Sequence, residues 1–287
     1  MSDGESLMAQ RRRLRTELRA ARLRKGLTQG QVARAMDWSL SKMIRIENAR
    51  SGISVNDLRV LLRLYDITDM EQTEELFALA RAARQRPWWS RYREVAPPEL
   101  LLLIDYESAA SAISQFEIVF VPGILQTEEY ASAVLRIFYD EESSLERVAA
   151  LVDLRMRRRD LLTSENAPRF SFVLDESVIH RPVGSHAIMS RQLMHLLSVA
   201  ELPNVTIQIV PFAAGLHPGV RGSFEVVQYD DTPDESIVFL EGVRGDFISD
   251  VPEEGQNYLE AFRRIAEIAL GPSDSVGRLS EAASEVA

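Results

Sequence analysis

Leu18 to Asn48, with the sequence LRAARLRKGLTQGQVARAMDWSLSKMIRIEN, is the stretch that decides the fold of the first part of the chain. Gly26 is placed to end a helix in the left-handed conformation, which glycine adopts without steric cost. Thr28 and Ser39 can each begin a further helix, because a hydroxyl oxygen accepts a hydrogen bond from a free amide of the first turn. Two short helices joined by a tight turn predict a helix-turn-helix.

Apolar residues at helical spacing predict a helix on either side of this stretch. One precedes Gly26, and a fourth helix runs from about Ser54 to Tyr65. We expect the third helix to extend to Asn48. The apolar residues assigned to the first and third helices are Leu14, Leu18, Ala21, Met43, Ile44 and Ile46. Residues 1–68 are therefore predicted to form an all-α domain.

The pattern LRxxRxxxGLTQxxVAxxMxxSxSxxxRIEN resembles the Cro/C1-type (XRE) family of helix-turn-helix regulators. The resemblance implies that the third helix enters the major groove of DNA and that its exposed side chains read base edges. There Arg45 can bond a guanine, Lys42 can reach a guanine or a phosphate, and Leu40 can contact a thymine methyl. Phosphate contacts are implied for Gln29 and Asn48. The implied DNA-binding residues are Thr28, Gln29, Ser39, Leu40, Ser41, Lys42, Arg45 and Asn48.

The same resemblance implies a structural ion pair between Arg22 and Glu47, which would connect the first helix to the third.

Two positions depart from the family pattern. Asp37 stands where the turn normally has glycine, and Ala49 stands where a glycine normally follows the third helix. Aspartate tolerates a left-handed conformation better than most residues, and alanine tolerates it poorly.

Charge divides the chain into two parts of opposite sign. The first 65 residues carry 14 Lys and Arg against 6 Asp and Glu, and the remaining 222 residues carry 19 against 37. The first part suits a polyanion, since neutralising phosphates releases counterions and supplies affinity. The acidic part, with a net charge of −18, is repelled by DNA and is expected to have another partner.

Composition excludes several classes of protein. The chain has no cysteine, which excludes disulfides and thiolate metal sites. Its longest apolar run, Leu100 to Ile104, is far shorter than a membrane span, and the N-terminus has no apolar stretch of the secretory kind. We therefore expect a cytoplasmic, nucleoid-associated protein with no membrane contact.

Beyond residue 68 the pattern predicts a helical linker over residues 69–89, an α+β domain over 90–271 and a disordered acidic tail over 272–287. Irregular alternation of strands and helices favours α+β over a doubly wound sheet. The predicted strands are 117–121, 170–174, 205–210, 223–229 and 237–240, and the predicted helices are 127–138, 144–162, 185–200 and 254–270.

Three motifs in this region are similar to the C-terminal domain of actinomycete WhiJ-like developmental regulators. They are FVPGILQTEEYASAVL from Phe120, VLDESVIHRPVG from Val173, and VTIQIVPFAAGLHPGVRGSFEVV from Val205. Regulators of that group are often encoded beside a small acidic protein. The resemblance therefore implies a small partner protein and assigns the domain no chemistry.

The acidic domain contains no convincing catalytic or metal motif. Its four histidines lack metal-ligand spacing, and no glycine-rich phosphate loop follows a strand. We predict no cofactor, no metal and no enzymatic activity. The carboxylates most open to a catalytic role are Glu176, which lies near His180, and Glu241 at a strand end.

The sequence leaves three functions open. The first is a sequence-specific transcription regulator, a homodimer on an inverted-repeat operator in double-stranded DNA, whose C-terminal domain senses a small-molecule effector or a small acidic partner protein. The second is an enzyme fused to an antitoxin-like DNA-binding domain. The third is an interaction scaffold that its DNA-binding domain merely tethers.

Overall fold

The computed structural model describes residues 7–47, 52–83, 87–139, 145–230, 235–242 and 245–286, with side chains from residue 10 onward. The chain divides into two compact units, Met1–Trp88 and Trp89–Ala287. No helix among the described residues is long and apolar enough to cross a bilayer.

The first unit is built from helices around one apolar core. Their bounds are α1 Leu7–Arg24, α2 Gln29–Ala35, α3 Leu40–Glu47, α4 Val55–Leu64 and α5 Met70–Ala82. Each helix contributes at least one fully buried side chain to the core, for example Leu18, Val32, Met43, Leu58 and Leu76. Burial of the apolar faces therefore holds these short helices together, since helices of this length are marginal in isolation.

The capping hydroxyls begin α2 and α3 as the sequence predicts. Thr28 Oγ1 accepts a hydrogen bond from the Gln31 amide at 3.2 Å, and Gln31 Oε1 accepts one from the Thr28 amide at 2.8 Å, which completes a capping box. Ser39 Oγ accepts from the Lys42 amide at 3.2 Å. These bonds satisfy amides that have no partner within the helix.

Left-handed residues shape the turns on either side of α2. Gly26 has a φ of 65° and Asp37 a φ of 53°. Asp37 thus adopts the left-handed conformation that the turn glycine of the Cro/C1-type pattern would adopt. Aspartate tolerates this conformation at modest cost. Ala49, the other departure from that pattern, lies outside the described residues.

Helix α5 corrects the prediction of a linker over residues 69–89. Its buried residues Leu76, Leu79 and Ala80 belong to the core of the first unit. In addition, the Arg11 guanidinium on α1 donates to the Ala83 carbonyl at 3.2 Å. An apolar stripe of this kind is stabilised by packing against a neighbour, so the helix completes the first domain.

The described strands of the second unit form one mixed sheet. They are β1 Ala112–Glu117, β2 Arg169–Asp175, β3 Val205–Val210, β4 Phe224–Gln228, β5 Ile237–Leu240 and β6 Phe247–Ser249, in the order β3-β2-β1-β4-β5-β6. The strands β1, β2 and β3 are parallel, and β4, β5 and β6 continue as an antiparallel meander. All-α followed by α+β is the predicted fold class, which is confirmed.

Helices surround this sheet. They are α6 Pro98–Glu107, α7 Glu128–Phe138, α8 Leu145–Arg158, α9 Glu176–His180, α10 His186–Val199, α11 Pro252–Ile268 and α12 Pro272–Glu285. Leu259, Phe262 and Ile265 of α11 pack with Phe116, Val226 and Val238 of the sheet.

The first strand lies at 112–117 and not at 117–121 as predicted, because the apolar residues after Glu117 lead into a 3₁₀ turn at Gly123–Leu125.

The segment after Gly271, predicted to be disordered, is a helix. In α12, Leu279, Ala282 and Ala283 are buried. Ser275 Oγ accepts from the Ile209 amide at 3.0 Å, which fixes the helix to the edge strand β3. The small apolar residues of this acidic segment share one helical face, and burial of that face offsets the ordering entropy.

Candidate nucleic-acid interface

Helix α3 presents one face to solvent and the other to the core. Leu40 is 51% exposed, and Ser41 and Arg45 are also exposed. Met43 and Ile46 are buried on the opposite face. With 3.6 residues per turn, positions 40, 41, 44 and 45 share one face. Because the opposite face packs in the core, these four side chains form the solvent-exposed surface of the helix.

Ile44 belongs to this exposed face, which the sequence analysis missed. We grouped it with Met43 and Ile46, but it is 37% exposed and lies one turn after Leu40. The four-residue spacing from Leu40 was the signal that could have identified it. The exposed face therefore offers two aliphatic side chains for thymine methyls beside the guanidinium of Arg45.

Lys42 lies at the side of this face, held by two neighbours. Its Nζ is 3.1 Å from Asp57 Oδ2 on α4 and 4.1 Å from the centroid of the Trp38 ring. Both contacts are compatible with a cationic side chain that turns toward a phosphate. Lys42 would therefore have to leave the Asp57 carboxylate in order to contact DNA.

Ser39 and Thr28 occupy the first turns of α3 and α2, where their oxygens serve as caps. Gln29 donates from Nε2 to Glu47 Oε2 at 2.7 Å. An open cavity of about 560 Å³ lies beside Gln29, lined among others by Arg19 and Thr28. A guanidinium next to the beginning of a helix is a favourable place for a phosphate oxygen.

Arg22 and Glu47 form a buried pair that connects α1 to α3. Arg22 Nε lies 2.6 Å from Glu47 Oε1 and Nη2 lies 3.0 Å from Oε2, while Nη1 donates to the Leu27 carbonyl at 2.8 Å. The hydrogen bond to Glu47 raises the pKa of Arg22. Since Glu47 also accepts from Gln29, this pair fixes the α2 beginning and α3 together. Asn48, the remaining implied DNA contact, lies outside the described residues.

Glu176, one of the two candidate catalytic carboxylates, makes contacts within the second unit. Glu176 is buried, and its Oε2 accepts from the Phe212 amide at 2.6 Å while its Oε1 pairs with Arg278 of α12. These contacts tie α9 and α12 together. Glu241 is exposed and lines a cleft with several buried charged residues.

This cleft is a feature that the sequence analysis did not identify. It is lined by polar side chains from distant parts of the chain, among them Gln115, Glu117, Arg158, Glu225 and Glu241. Their sequence separations carry no local motif, and the sheet register together with the packing of α8 brings them together. In the described part of the chain, no group of three or more His, Asp or Glu residues is arranged to hold a metal ion.

Comparison with known proteins agrees with this division. A helix-turn-helix domain family matches residues 13–76, so the first unit is a helix-turn-helix domain of a DNA-binding regulator. No curated protein and no solved structure matches the chain significantly. A second family matches residues 100–281, well over half of the 287 residues. The chain therefore belongs to the family described as "Domain of unknown function (DUF5753)".

Proposed function

We propose that this protein is a sequence-specific transcription regulator of the Cro/C1 type, which acts at the nucleoid and reads its operator with α3. The observation that carries the proposal is the exposed face of α3. There Leu40, Ser41 and Arg45 point to solvent from a helix whose other side is fixed in the core. A rigidly held helix with exposed side chains that can bond guanine and contact thymine methyls suits direct readout in the major groove.

The charge distribution supports DNA as the partner of the first unit alone. Residues 1–65 have a net charge of +8, and the rest of the chain has a net charge of −18. Phosphate neutralisation therefore favours binding through the first unit, and the affinity is expected to fall steeply with salt. The acidic second unit then serves a different partner.

The second unit is proposed to sense a small-molecule effector or, as its resemblance to WhiJ-like regulators suggests, a small acidic partner protein. A non-enzymatic role is supported by the contacts of Glu176. Both of its oxygens are occupied by Arg278 and the Phe212 amide, so it is not free to act as an acid or base. Binding without turnover is the role that these contacts favour.

A homodimer on an inverted repeat is part of the proposal. Helix α3 has eight residues and is about 12 Å long, so it contacts only a few base pairs. Useful specificity then needs two copies on half-sites about one helical turn apart.

Selection of binding sites from a random duplex pool by the full-length protein tests these claims. We expect an inverted repeat whose half-site centres are about 10 base pairs apart. Arg45→Ala is expected to cost about 1–3 kcal/mol on the selected site and to relax the preference at one base position. Arg81→Ala is the matched control, because Arg81 is an exposed arginine on α5 that pairs with Glu74.

Gln29→Ala separates base reading from phosphate contact. It is expected to weaken selected and unrelated duplexes by the same factor, because phosphate contacts carry no base information. An Arg45→Ala protein that selects the unchanged site would refute the assignment of the reading face. A selected sequence with only one half-site would refute the dimer.

A further inference from the structure

The cleft of the second unit is organised around one buried arginine. Arg158, at the end of α8, donates from Nε and Nη2 to the two carboxylate oxygens of Glu107 on α6, at 2.6 and 2.7 Å. Its Nη2 also lies 3.3 Å from Glu225 Oε2 on β4. Arg158 is 8% exposed, and Glu107 and Glu225 are each 1% exposed. The bidentate pair with Glu107 neutralises Arg158 and leaves the Glu225 carboxyl as a second, weaker contact.

Strand register places further acceptors on the same face of the sheet. Gln115 is paired with Glu225 across β1 and β4, and Glu225 is paired with Phe239 across β4 and β5. Glu117 follows Gln115 by two residues and therefore lies on that face too. Gln115 Nε2 donates to Glu117 Oε1 at 2.8 Å.

Two of these carboxyl groups retain a buried oxygen with no hydrogen-bond partner. They are Oε2 of Glu117 and Oε1 of Glu225, and both residues line the cleft. Gln115 Oε1 is in the same state. Buried acceptors are normally satisfied by the protein or by a bound group, so in their ionised forms these oxygens are available to a bound hydrogen-bond donor.

The charges specify what kind of donor is missing. Four glutamates, Glu107, Glu117, Glu225 and Glu241, lie in or beside the cleft with two arginines, Arg155 and Arg158. The group therefore has an excess of negative charge when all are ionised. Burial, followed by the charge of Glu241, raises the pKa of Glu117 to about 8. Burial and the neighbouring Glu107 likewise raise the pKa of Glu225 well above its usual value. Both shifts favour the protonated carboxyl, so a cation bound at these oxygens would displace a proton.

The size of the cleft limits that cation to a small head group. The volume of the cleft is about 10 Å³, enough for one water molecule or one ammonium group. Leu103 and Phe239 supply apolar walls, and Glu241 is exposed at the mouth. The described residues hold no cluster of three or more side chains that could ligate a metal ion. An ammonium group can instead donate separate hydrogen bonds to oxygens on β1 and β4.

We propose that this cleft binds the primary ammonium group of a small-molecule ligand, whose N–H donors bond to Glu117 Oε2 and Glu225 Oε1. The rest of the ligand leaves along Leu103 and Phe239 past Glu241. Gln115 Oε1 can accept the third N–H. This proposal rests on the proposed function, because it assigns the sensing site of the second unit and the chemistry of its effector.

Titration of the full-length protein with simple amines tests the site. The probes are n-butylamine and putrescine, and the controls are tetramethylammonium, which has the charge without N–H donors, and 1-butanol, which has the chain without the charge. Calorimetry is expected to give one amine site per chain, and the midpoint of thermal unfolding should rise with amine concentration. Neither control compound should produce the shift.

Glu117→Gln keeps the size of the side chain and removes the carboxylate. It is expected to weaken n-butylamine binding at least tenfold while the free protein stays as stable as wild type or becomes more stable, because an uncompensated buried carboxyl is removed. Glu260→Gln is the matched control, since Glu260 is an exposed glutamate on α11, and it should leave amine binding unchanged.

Three results would overturn the amine site. They are no amine binding at tens of millimolar, equal binding of tetramethylammonium, and unchanged amine affinity in Glu117→Gln. Each would show that Glu117 and Glu225 do not accept hydrogen bonds from a ligand ammonium group. Operator binding is measured separately without amine, so a wild-type protein that binds its operator and ignores amines refutes the cleft proposal alone. A protein that binds amines and no DNA refutes the proposed function alone.

Discussion

At the scale of single residues, Arg22 connects α1 to α3 through a buried ion pair. It is 8% exposed and satisfies Glu47, which is 3% exposed, and the Leu27 carbonyl. Arg22→Ala would leave a buried carboxylate that, among the described residues, keeps a hydrogen bond from the side-chain amide of Gln29. We expect a loss of about 3–5 kcal/mol of unfolding free energy, measured by chemical denaturation.

Arg13→Ala is the control for this prediction, because Arg13 is half-exposed and pairs with the half-exposed Glu75. Its effect should be about 1 kcal/mol or less. Adding Glu47→Ala to Arg22→Ala should restore part of the lost stability by removing the stranded charge. Equal effects of Arg22→Ala and Arg13→Ala would contradict a structural role for the buried pair.

Glu117 predicts a pH dependence of stability that is unusual for a carboxylate. Its pKa is about 8 in the folded protein and about 4.3 in an unfolded chain. At a pH between these two values, Glu117 is protonated in the folded state and ionised in the unfolded state. Unfolding free energy should therefore fall as pH rises from about 4.5 to 8, by on the order of 1 kcal/mol per pH unit.

Comparison of wild type with Glu117→Gln isolates this contribution, because the variant cannot titrate there. Denaturation at pH 5, 6, 7 and 8 should give a steeper decline for wild type than for the variant, and parallel curves would show that Glu117 is ionised throughout. The other ionisable groups that act on it are Tyr130 from α7, Arg158 from α8, Glu225 from β4 and Glu241 after β5. Glu107 and Arg155 interact with these groups in turn.

At the scale of secondary-structure elements, the helices with strong local signals were predictable. Thr28 and Ser39 are capping hydroxyls followed by apolar residues at helical spacing, and both begin helices in the structure. These signals lie within one turn of the element that they determine, so no tertiary contact is needed to interpret them.

The elements that were misplaced depend on distant contacts. Strand β1 is central in the sheet, and its register comes from β2 and β4, whose residues lie more than 50 positions away. Helix α12 is acidic and polar in composition, and its order depends on Ser275 at the edge of β3 and on Arg278 against Glu176. Such partners cannot be inferred from a local window, because packing overrides composition.

The candidate sites divide in the same way. The exposed face of α3 follows from periodicity, and Ile44 was assigned to the wrong side. The cleft could not be found in advance, because Glu107, Glu117 and Glu225 come from α6, β1 and β4 and share no motif. A buried carboxylate in a strand also resembles the polar member of an ordinary alternating pattern.

At the scale of the whole molecule, the two proposals meet in a coupling between amine and operator. A ligand shifts an equilibrium only by its differential affinity for two states of the protein. If the amine site regulates DNA binding, saturating n-butylamine changes operator affinity by a factor that is typically about 5–150. The direction of that change defines whether the effector releases or recruits the regulator.

Thermodynamic reciprocity makes this prediction strict. Operator DNA must change the amine affinity of the full-length protein by the same factor by which amine changes operator affinity. The two factors are measured independently, one by operator titration at fixed amine and the other by amine titration at fixed operator. Glu117→Gln should reduce both factors toward one while its operator affinity without amine equals that of wild type. If amine binds at full occupancy and both factors equal one in wild type, the cleft is a binding site without regulatory coupling. The second unit must then influence the DNA-binding domain through a different partner.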